Sequence, residues 1–388
     1  MVVVLGLAVG CQSTRVPPSN WFRAVVANAE GVEFPFLFHV PEGTGKATVM
    51  NGTFGFEVDA TSTAEQLELS MPVFHGRLIA KRSATGLEGW FETSTTFGGK
   101  TSMKFIGTAI EGSSVTALGV DGRSWWFLAL DLGSAESTWR VQLGGSTEKL
   151  VLHQLSPGAF SAVLTTESGD ITYLGGVGSS NHLVLTGFDG TGAYRLDVIL
   201  DGARAHARGR WTAGQAGESS DDVQLVRDDR FVLTPKVAVT SGIKLELPEL
   251  AAYAGKPTLL ELAGSWCSTC RTVSPFLVDL YKSLHPRGLE IVTLLYEFST
   301  DANYNAKQVE LFVKAYGIPW NVIAMPGELG EFHGLEHVDV TSFPLTLFLD
   351  SNHVVMGLHA GFPLPSDEAA YREAAEHYRT EAIKILGP

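Results

Sequence analysis

Short runs of alternating apolar and polar residues fill the chain from Trp21 to about Leu233, and Gly, Asp, Asn and Ser separate them. A period of two is typical of strands with one buried face. No helical period of useful length occurs there, so the pattern predicts an all-β domain, a barrel or a sandwich, over residues 21–233. The clearest strand segments are QLELSMPVF, SMKFIGTAI, SWWFLALDL, TWRVQL, NHLVLTGF and YRLDVIL.

Similar motifs recur within this β region at nearly constant spacing. The pattern indicates an internal duplication of residues 21–112 and 138–228, in which each half hides the apolar face and the edges of the other. Chance repetition of Trp and Gly in a Gly-rich β region is the alternative. The paired positions, 118, 114 and 121 residues apart, are Trp21 and Trp139, Gly76 and Gly190, and Trp90 and Trp211.

Aromatic residues are frequent in the β region, and two interpretations of its tryptophans are open. They form the core of the domain, or they line a ligand site. We favour the core, because large aromatic side chains usually supply buried area in a β domain. The six tryptophans are Trp21, Trp90, Trp125, Trp126, Trp139 and Trp211.

The pattern changes after the segment DDRFVLTPKVAVTSG, whose charges, proline and glycine predict a linker over residues 234–242. Strands then alternate with helices, which predicts an α/β domain over residues 243–388. Ser351-Asn352 is the predicted turn of a hairpin, and Ser366 is the predicted N-cap of a C-terminal helix. The segments TLLELAG and LEIVTLLYEF are predicted strands, and CRTVSPFLVDLYKSLH and NAKQVELFVKAYG are predicted helices.

Composition and charge narrow the possible functions. Apolar residues make up 45% of the 388 residues and charged residues 18%, which is typical of folded globular domains. The 28 basic and 42 acidic residues give a formal net charge of −14, and no long run of Lys or Arg occurs, which argues against a nucleic-acid partner. No apolar run reaches the roughly 18 residues that a transmembrane helix needs.

The first twenty residues, MVVVLGLAVGCQSTRVPPSN, combine an apolar segment, a cysteine and a Pro-containing polar segment. They resemble a bacterial lipoprotein signal and tether. The resemblance implies cleavage before Cys11, lipidation of Cys11 and an exported protein anchored in the cell envelope or periplasm, with the outer membrane favoured by Gln12. The alternative is a buried N-terminal strand with an incidental cysteine, although VPPSN does not continue a strand well.

Two of the three cysteines lie three positions apart in GSWCSTCR, after a predicted strand and at a predicted helix start. Cys267, interpreted as opening the helix, would be favoured as a thiolate by the helix field. A structural disulfide between Cys267 and Cys270 would restrict the unfolded chain very little. A zinc site would need two further ligands such as His333 and His337. A redox couple needs only these two thiols, and we favour it.

The surroundings of these cysteines resemble a known family. LLELAGSWCSTCRTVSPFL and, some 75 residues later, TSFPLTLFLD are similar to the thioredoxin-fold, membrane-tethered thiol–disulfide oxidoreductases of the TlpA/ResA type. The resemblance implies that Cys267 attacks, that Cys270 resolves the mixed disulfide and that Trp266 covers the pair. It also implies a cis bond before Pro344 and a position facing the disulfide. Otherwise Pro344 is an ordinary strand-entry proline.

Three nearby positions bear on how such a site would work. Glu261 stands six residues before Cys267, an offset at which thioredoxin has a buried acid. If it is buried, its pKa rises and it can exchange a proton with Cys270, whereas an exposed Glu261 has no such role. Ser268-Thr269 departs from the family's usual residues between the cysteines, which leaves the direction of electron flow open. Phe343 is bulkier than the usual residue before the proline.

The sequence therefore predicts an exported, membrane-anchored thiol–disulfide oxidoreductase that reduces or exchanges disulfides in cell-envelope proteins. Disulfide-containing exported proteins are the expected substrates, a membrane electron-relay protein is the expected reductant, and no cofactor or metal is implied. One alternative is a redox-sensing binding protein whose β domain holds a partner or ligand. A peroxiredoxin-like peroxidase is another, although ELAGSWC lacks the Thr and Pro that usually precede its nucleophile.

Overall fold

The computed structural model describes residues 20–71, 76–83, 86–94, 100–110, 130–214, 219–234, 236, 242–326 and 330–387. The predicted lipidation site Cys11, and Trp125 and Trp126 with most of the segment SWWFLALDL, lie outside these residues. The predicted signal, domain boundaries, linker and duplication therefore stay predictions. Of the helices that the structure describes, none is long and apolar enough to cross a membrane.

The first eight strands form a closed barrel in which each strand pairs with the next one along the chain. All pairs are antiparallel, and the pairing of β1 with β8 closes the ring, so no strand edge is left open. The strands are β1 (Trp21–Ala27), β2 (Glu33–His39), β3 (Gly43–Asn51), β4 (Phe54–Ser62), β5 (Gln66–Met71), β6 (Gly76–Arg82), β7 (Gly86–Ser94) and β8 (Lys100–Ile110).

The next eight strands form a second closed barrel with the same connectivity. Here the pairing of β16 with β9 closes the ring. The all-β part is therefore two barrels rather than a sandwich. The strands are β9 (Glu136–Leu143), β10 (Ser146–Ser156), β11 (Ala159–Thr165), β12 (Ile171–Ser179), β13 (His182–Phe188), β14 (Ala193–Leu200), β15 (His206–Gly214) and β16 (Ser219–Arg227).

Alternation along the strands fills the barrel interiors. In β4, Phe54, Phe56 and Val58 are buried, while the residues between them are more exposed, as a strand of period two requires. Trp139 and Trp211 are buried in the second barrel, as predicted for core residues. The prediction is wrong for Trp90, which is 54% exposed because its position in β7 faces outward.

The two barrels contact each other closely through backbone and side chains. A Cβ atom on Gly175 would lie only 2.1 Å from the backbone nitrogen of Gly52. The backbones of the two barrels therefore meet at two glycines, which have no side chains. The buried Asn51 side chain exchanges two hydrogen bonds with the backbone of Phe188, at 3.0 and 2.9 Å. The Phe188 ring stacks at 4.6 Å on Phe36 of the first barrel. The barrels are thus fixed relative to each other.

The last third of the chain is an α/β domain around a five-stranded sheet of order β19-β18-β17-β20-β21. Strands β17, β18 and β19 are parallel, β20 runs antiparallel to them, and β21 pairs antiparallel with β20. The parallel central strands are buried on both faces, which explains their continuous apolar sequences. The elements are β17 (Thr258–Ala263), α1 (Cys270–Leu284), β18 (Glu290–Leu295), α2 (Ala302–Tyr316), β19 (Asn321–Ala324), β20 (Leu345–Leu349), β21 (Val355–Ala360) and α3 (Glu368–Leu386).

Two predictions at helix starts are wrong. Helix α1 begins at Cys270, as the predicted segment CRTVSPFLVDLYKSLH does, but Cys267 lies in the preceding turn and does not open the helix. Helix α3 is capped by Asp367, whose carboxylate accepts from the Ala370 amide, and not by Ser366. The Ser366 hydroxyl instead accepts a hydrogen bond of 3.2 Å from the Gly55 amide of the first barrel. A contact between domains has thus replaced the local cap.

The barrels also pack against the α/β domain. The Tyr173 hydroxyl of the second barrel accepts a 2.9 Å hydrogen bond from the Leu364 amide, and Ser342 donates to the carbonyl of Ser168. The interior of the first barrel and the core of the α/β domain belong to one continuous apolar cluster, which also includes Tyr173 and Phe188. These contacts bring both barrels to the start of α1.

We expect Gly175→Ala to destabilise the protein, because its Cβ would overlap the Gly52 backbone and force the barrels apart. Overpacking of this kind costs about 1–3 kcal/mol. The midpoint of urea denaturation measures the loss. Gly202→Ala is the matched control, since no atom lies within 4 Å of the Cβ it would add. Equal midpoints for the two variants would contradict the close approach.

Candidate active site

The two cysteines lie between the end of β17 and the start of α1. Their sulfurs are joined in a disulfide, with the Cα atoms 5.3 Å apart. Cys267 retains 5% exposure and Cys270 none. The first amide of α1, on Cys270, donates a 3.0 Å hydrogen bond to the Cys267 sulfur. Although Cys267 does not open the helix, its sulfur therefore receives the positive field of the helix start, which favours a thiolate after reduction.

Aromatic residues surround the exposed side of this disulfide. Trp266 is half-buried and donates through its indole nitrogen to the Tyr296 carbonyl at 2.9 Å. Its ring lies 4.6 Å from Phe298 and 5.3 Å from Phe343. The peptide bond between Phe343 and Pro344 is cis. Trp266 and Phe343 thus share one apolar wall beside Cys267.

Glu261 is fully buried in the central strand β17. Its Oε2 accepts a 2.6 Å hydrogen bond from the Thr293 hydroxyl, which in turn accepts from the Trp320 indole nitrogen at 2.9 Å. Its other oxygen is buried without a hydrogen-bond partner among the described residues. Burial raises the pKa of Glu261 to about 7, against the smaller lowering effect of the Thr293 hydrogen bond. The exposed alternative for Glu261 is therefore wrong.

A second buried acid near the disulfide was not predicted. Glu297 follows β18 and is 3% exposed. It accepts hydrogen bonds from the Ser265 amide at 3.0 Å and the Ser265 hydroxyl at 2.9 Å, which fixes the turn before Trp266. Burial raises its pKa to about 7. The sequence signal that could have revealed Glu297 is an acidic residue just after an apolar strand, β18. The carboxyl end of β18 lies beside that of β17.

The disulfide faces a cavity of about 370 Å³ between the barrels and the α/β domain. We call this cavity the chamber. Its walls come from three parts of the chain, which meet only in the folded protein, and no local pattern indicated this. The first barrel contributes Asn51, Phe56 and Thr93; the second contributes Asp170, Ile171, Thr172, Tyr173, Phe188, Asp189, Thr191 and Tyr194; the α/β domain contributes Trp266, Cys267, Ser268, Thr269, Arg271, Thr272, Phe298, Phe343, Phe362 and Leu364.

Charged side chains of both signs line the chamber. The Arg271 guanidinium lies 3.9 Å from the centre of the Phe56 ring, a cation–π distance, and burial lowers the pKa of Arg271. Burial raises the pKa of Asp170 to about 6, although the Ser168 hydroxyl donates to it at 3.0 Å. Asp189 accepts from the Tyr194 hydroxyl at 3.2 Å. One cation and two carboxylates therefore line the same chamber as Cys267.

The zinc alternative has no support in the part of the chain that the structure describes. There, no group of three or more His, Cys, Asp or Glu side chains is arranged to hold a metal ion. His333 lies 3.8 Å from the carboxylate of Glu331, at an exposed position. Cys267 and Cys270 are bonded to each other.

Comparisons with known proteins point to one class of chemistry, although no family model matches the sequence. The thiol-disulfide oxidoreductase ResA of Bacillus subtilis is 28% identical over 122 residues, which is 31% of this chain and 61% of that protein. ResA of Bacillus thuringiensis subsp. konkukian is 30% identical over 125 residues, 31% of this chain and 64% of that protein. The chain thus spans less than two thirds of the length of these relatives.

A solved structure is also similar to part of the chain. It is a thiol:disulfide interchange protein of the thioredoxin family from Chlorobium tepidum. It is 17% identical, with a TM-score of 0.29, and the match covers 39% of this chain and 98% of that one. Over about a third of its length, this chain is therefore similar in sequence to thiol-disulfide oxidoreductases named ResA.

Proposed function

We propose that this protein is an exported, membrane-anchored thiol–disulfide oxidoreductase that reduces or exchanges disulfides in cell-envelope proteins. The observation that carries the proposal is the asymmetry of the cysteine pair. Cys267 is the sulfur that faces the chamber and accepts the first amide of α1, whereas Cys270 is completely buried behind it. This arrangement suits an attacking thiolate and a resolving thiol.

The reaction starts from the reduced pair. The Cys267 thiolate attacks one sulfur of the substrate disulfide, and the other substrate sulfur leaves as a thiolate and takes up a proton. Cys270 then loses its proton and attacks the Cys267 sulfur, which releases the second substrate thiol and restores the Cys267–Cys270 disulfide. Two electrons pass from the protein to the substrate, and an external dithiol must return them.

Glu261 is proposed to exchange a proton with Cys270 during the second attack. A carboxyl group with a pKa of about 7 is present in both protonation states near neutral pH. It can therefore accept the Cys270 proton and return it later. The Thr293 hydroxyl orients one of its oxygens at 2.6 Å.

Pro344 and Trp266 are proposed to position the substrate. The Phe343 ring lies in the chamber wall beside Trp266, where the two rings meet nearly edge to face. Pro344 has no N–H group and its carbonyl accepts from the Gly361 amide at 2.9 Å, so the backbone of Phe343 before it is the proposed place for pairing with an extended partner chain. The Trp266 ring offers an apolar platform beside the disulfide.

Anchoring and electron supply follow from the proposed location. A lipid on Cys11 would hold the protein at the membrane surface of the cell envelope, in the outer membrane if the host has one. Because an exported cysteine pair otherwise remains oxidised, a membrane electron-relay protein is proposed as the reductant. A redox-sensing binding protein is the second candidate, since both barrels contribute to the chamber beside the disulfide.

We expect the full chain to reduce insulin with dithiothreitol as electron donor, and Cys267→Ser to lose this turnover. Cys270→Ser should instead accumulate a mixed disulfide with the substrate, because the attack still occurs and the release does not. Non-reducing gel electrophoresis and mass spectrometry detect this adduct. Turnover by Cys267→Ser equal to that of the native protein would refute the proposal, and a binding protein without exchange would show none in either form.

Glu261→Gln should slow resolution of the mixed disulfide at pH 7 by about 100-fold, the low end of a general acid–base contribution. The pH–rate profile should also lose its inflection near 7. Single-turnover kinetics of the reduced protein measure both effects. The control is Glu376→Gln, which removes an exposed acid on α3. An inflection that persists in Glu261→Gln would assign the proton exchange to another group.

Glu261 should also make stability depend on pH. Its folded-state pKa of about 7 lies above the ordinary value of 4.5, so the folded protein holds a proton that the unfolded chain releases. Stability therefore falls as pH rises from about 4.5 to 7 and then levels off. The Glu261→Gln protein lacks this pH-dependent loss. Its free energy of unfolding relative to that of the native protein should therefore rise between about pH 4.5 and pH 7. Urea denaturation at several pH values measures it, and a constant difference would contradict burial of the acid.

A further inference from the structure

We infer that the chamber is a binding site for low-molecular-weight disulfides that carry both ammonium and carboxylate groups, the class to which cystine belongs. The inference rests on the proposed thiol–disulfide exchange and concerns which disulfide reaches Cys267 while the barrels are docked. The docked barrels leave less room beside Cys267 for a protein disulfide than for a small one.

The size of the chamber favours a small occupant. Its volume of about 370 Å³ lies near the lower end of the roughly 300–1,000 Å³ that small-molecule pockets span. Phe56 from the first barrel, Tyr173 from the second and Trp266 from the α/β domain give it aromatic walls on several sides. A small molecule in the chamber would thus lie against aromatic side chains next to the Cys267 sulfur.

The docked barrels restrict larger partners. A stable protein partner usually covers about 800 Å² of surface around the site that it recognises. At this site, Cys267 itself is only 5% exposed. The surface around it is occupied by the barrels, through the Tyr173–Leu364 and Ser342–Ser168 hydrogen bonds and the contact of Arg271 with Phe56. A folded protein therefore has less room than a small molecule to bring its disulfide to Cys267 in this arrangement.

The charges of the chamber fit the two groups of an amino acid. A carboxylate of the ligand would pair with the Arg271 guanidinium, next to the cysteine pair in sequence. An ammonium group would pair with Asp170 and Asp189, which both line the chamber. Burial strengthens such pairs, because little bulk water competes for the charges there.

The reaction is the exchange described above with a small disulfide. The Cys267 thiolate attacks one sulfur of cystine, one cysteine leaves and takes up a proton, and a mixed Cys267–cysteine disulfide forms. Cys270 then attacks the Cys267 sulfur and releases the second cysteine. The protein dithiol is oxidised to its disulfide and cystine is reduced to two cysteines, with dithiothreitol as the reductant that restores the dithiol in the assay.

The test compares four small disulfides of different charge with the reduced full chain at pH 7.5, where the Asp170 carboxylate is ionised. Cystine carries both charges, cystamine carries two ammonium groups, dithiodipropionate carries two carboxylates and 2-hydroxyethyl disulfide carries none. Stopped-flow tryptophan fluorescence follows oxidation of the protein. Each rate is divided by the rate of the same disulfide with dithiothreitol, which removes differences in intrinsic reactivity. Insulin is the protein substrate.

We expect the normalised rate to be at least about tenfold higher for cystine than for the neutral disulfide, the size of effect that a charged hydrogen bond gives. Asp170→Asn should lower the rates for cystine and cystamine about tenfold and leave those for dithiodipropionate and 2-hydroxyethyl disulfide within twofold. Glu57→Gln, which removes an exposed acid next to Phe56 in β4, is the matched control and should change none of them.

The outcomes distinguish failure of the inference about small disulfides from failure of the proposed thiol–disulfide exchange. Equal normalised rates for the four small disulfides, or insulin oxidising the protein as fast as cystine, would overturn the inference and leave thiol–disulfide exchange in place. Failure of every disulfide to oxidise the Cys267–Cys270 pair would overturn the proposed function itself. Because the neutral disulfide is measured with every variant, a misfolded Asp170→Asn protein would be recognised by slower oxidation with all four disulfides.

Discussion

The close approach of the two barrels at Gly52 and Gly175 is the constraint on which the rest of the arrangement depends. Since no side chain separates the backbones there, Asn51 reaches across to bond both backbone groups of Phe188. Phe188 ends β13, and the Asp189 turn follows it directly. The contact between the barrels therefore determines where this turn lies relative to the disulfide, although it involves no residue of the α/β domain.

Burial of acids is the common electrostatic feature around the disulfide. Glu261, Glu297 and Asp170 come from three different places in the chain, and for each of them loss of water is the largest effect on the pKa. Each also accepts a hydrogen bond from a serine or threonine hydroxyl, which keeps its carboxyl group in place. The site thus holds several protons that leave between about pH 6 and pH 7.

The parts of the site that the sequence revealed are local ones. The spacing of Cys267 and Cys270, the proline at position 344 and an acid inside an apolar strand are visible within short segments, because strand and helix periods fix their neighbours. The position of Cys267 at the helix start was mispredicted by three residues and the Ser366 cap by one residue, since turn geometry and a contact with Gly55 decide them. The chamber could not be predicted, because its walls depend on how three separately folded parts pack.

Placing Asp189 and Thr191 in a tight turn between β13 and β14 has a consequence for how such proteins diversify. The Asp189 carboxylate holds this turn through the amides of Thr191 and Gly192, so the loop keeps its shape without help from the thiol-bearing domain. Under the proposed function, exchanging a few residues of this loop would alter which disulfides the chamber accepts and leave the cysteine pair unchanged. Selectivity and redox potential would then be two separate traits, encoded in distant stretches of one gene.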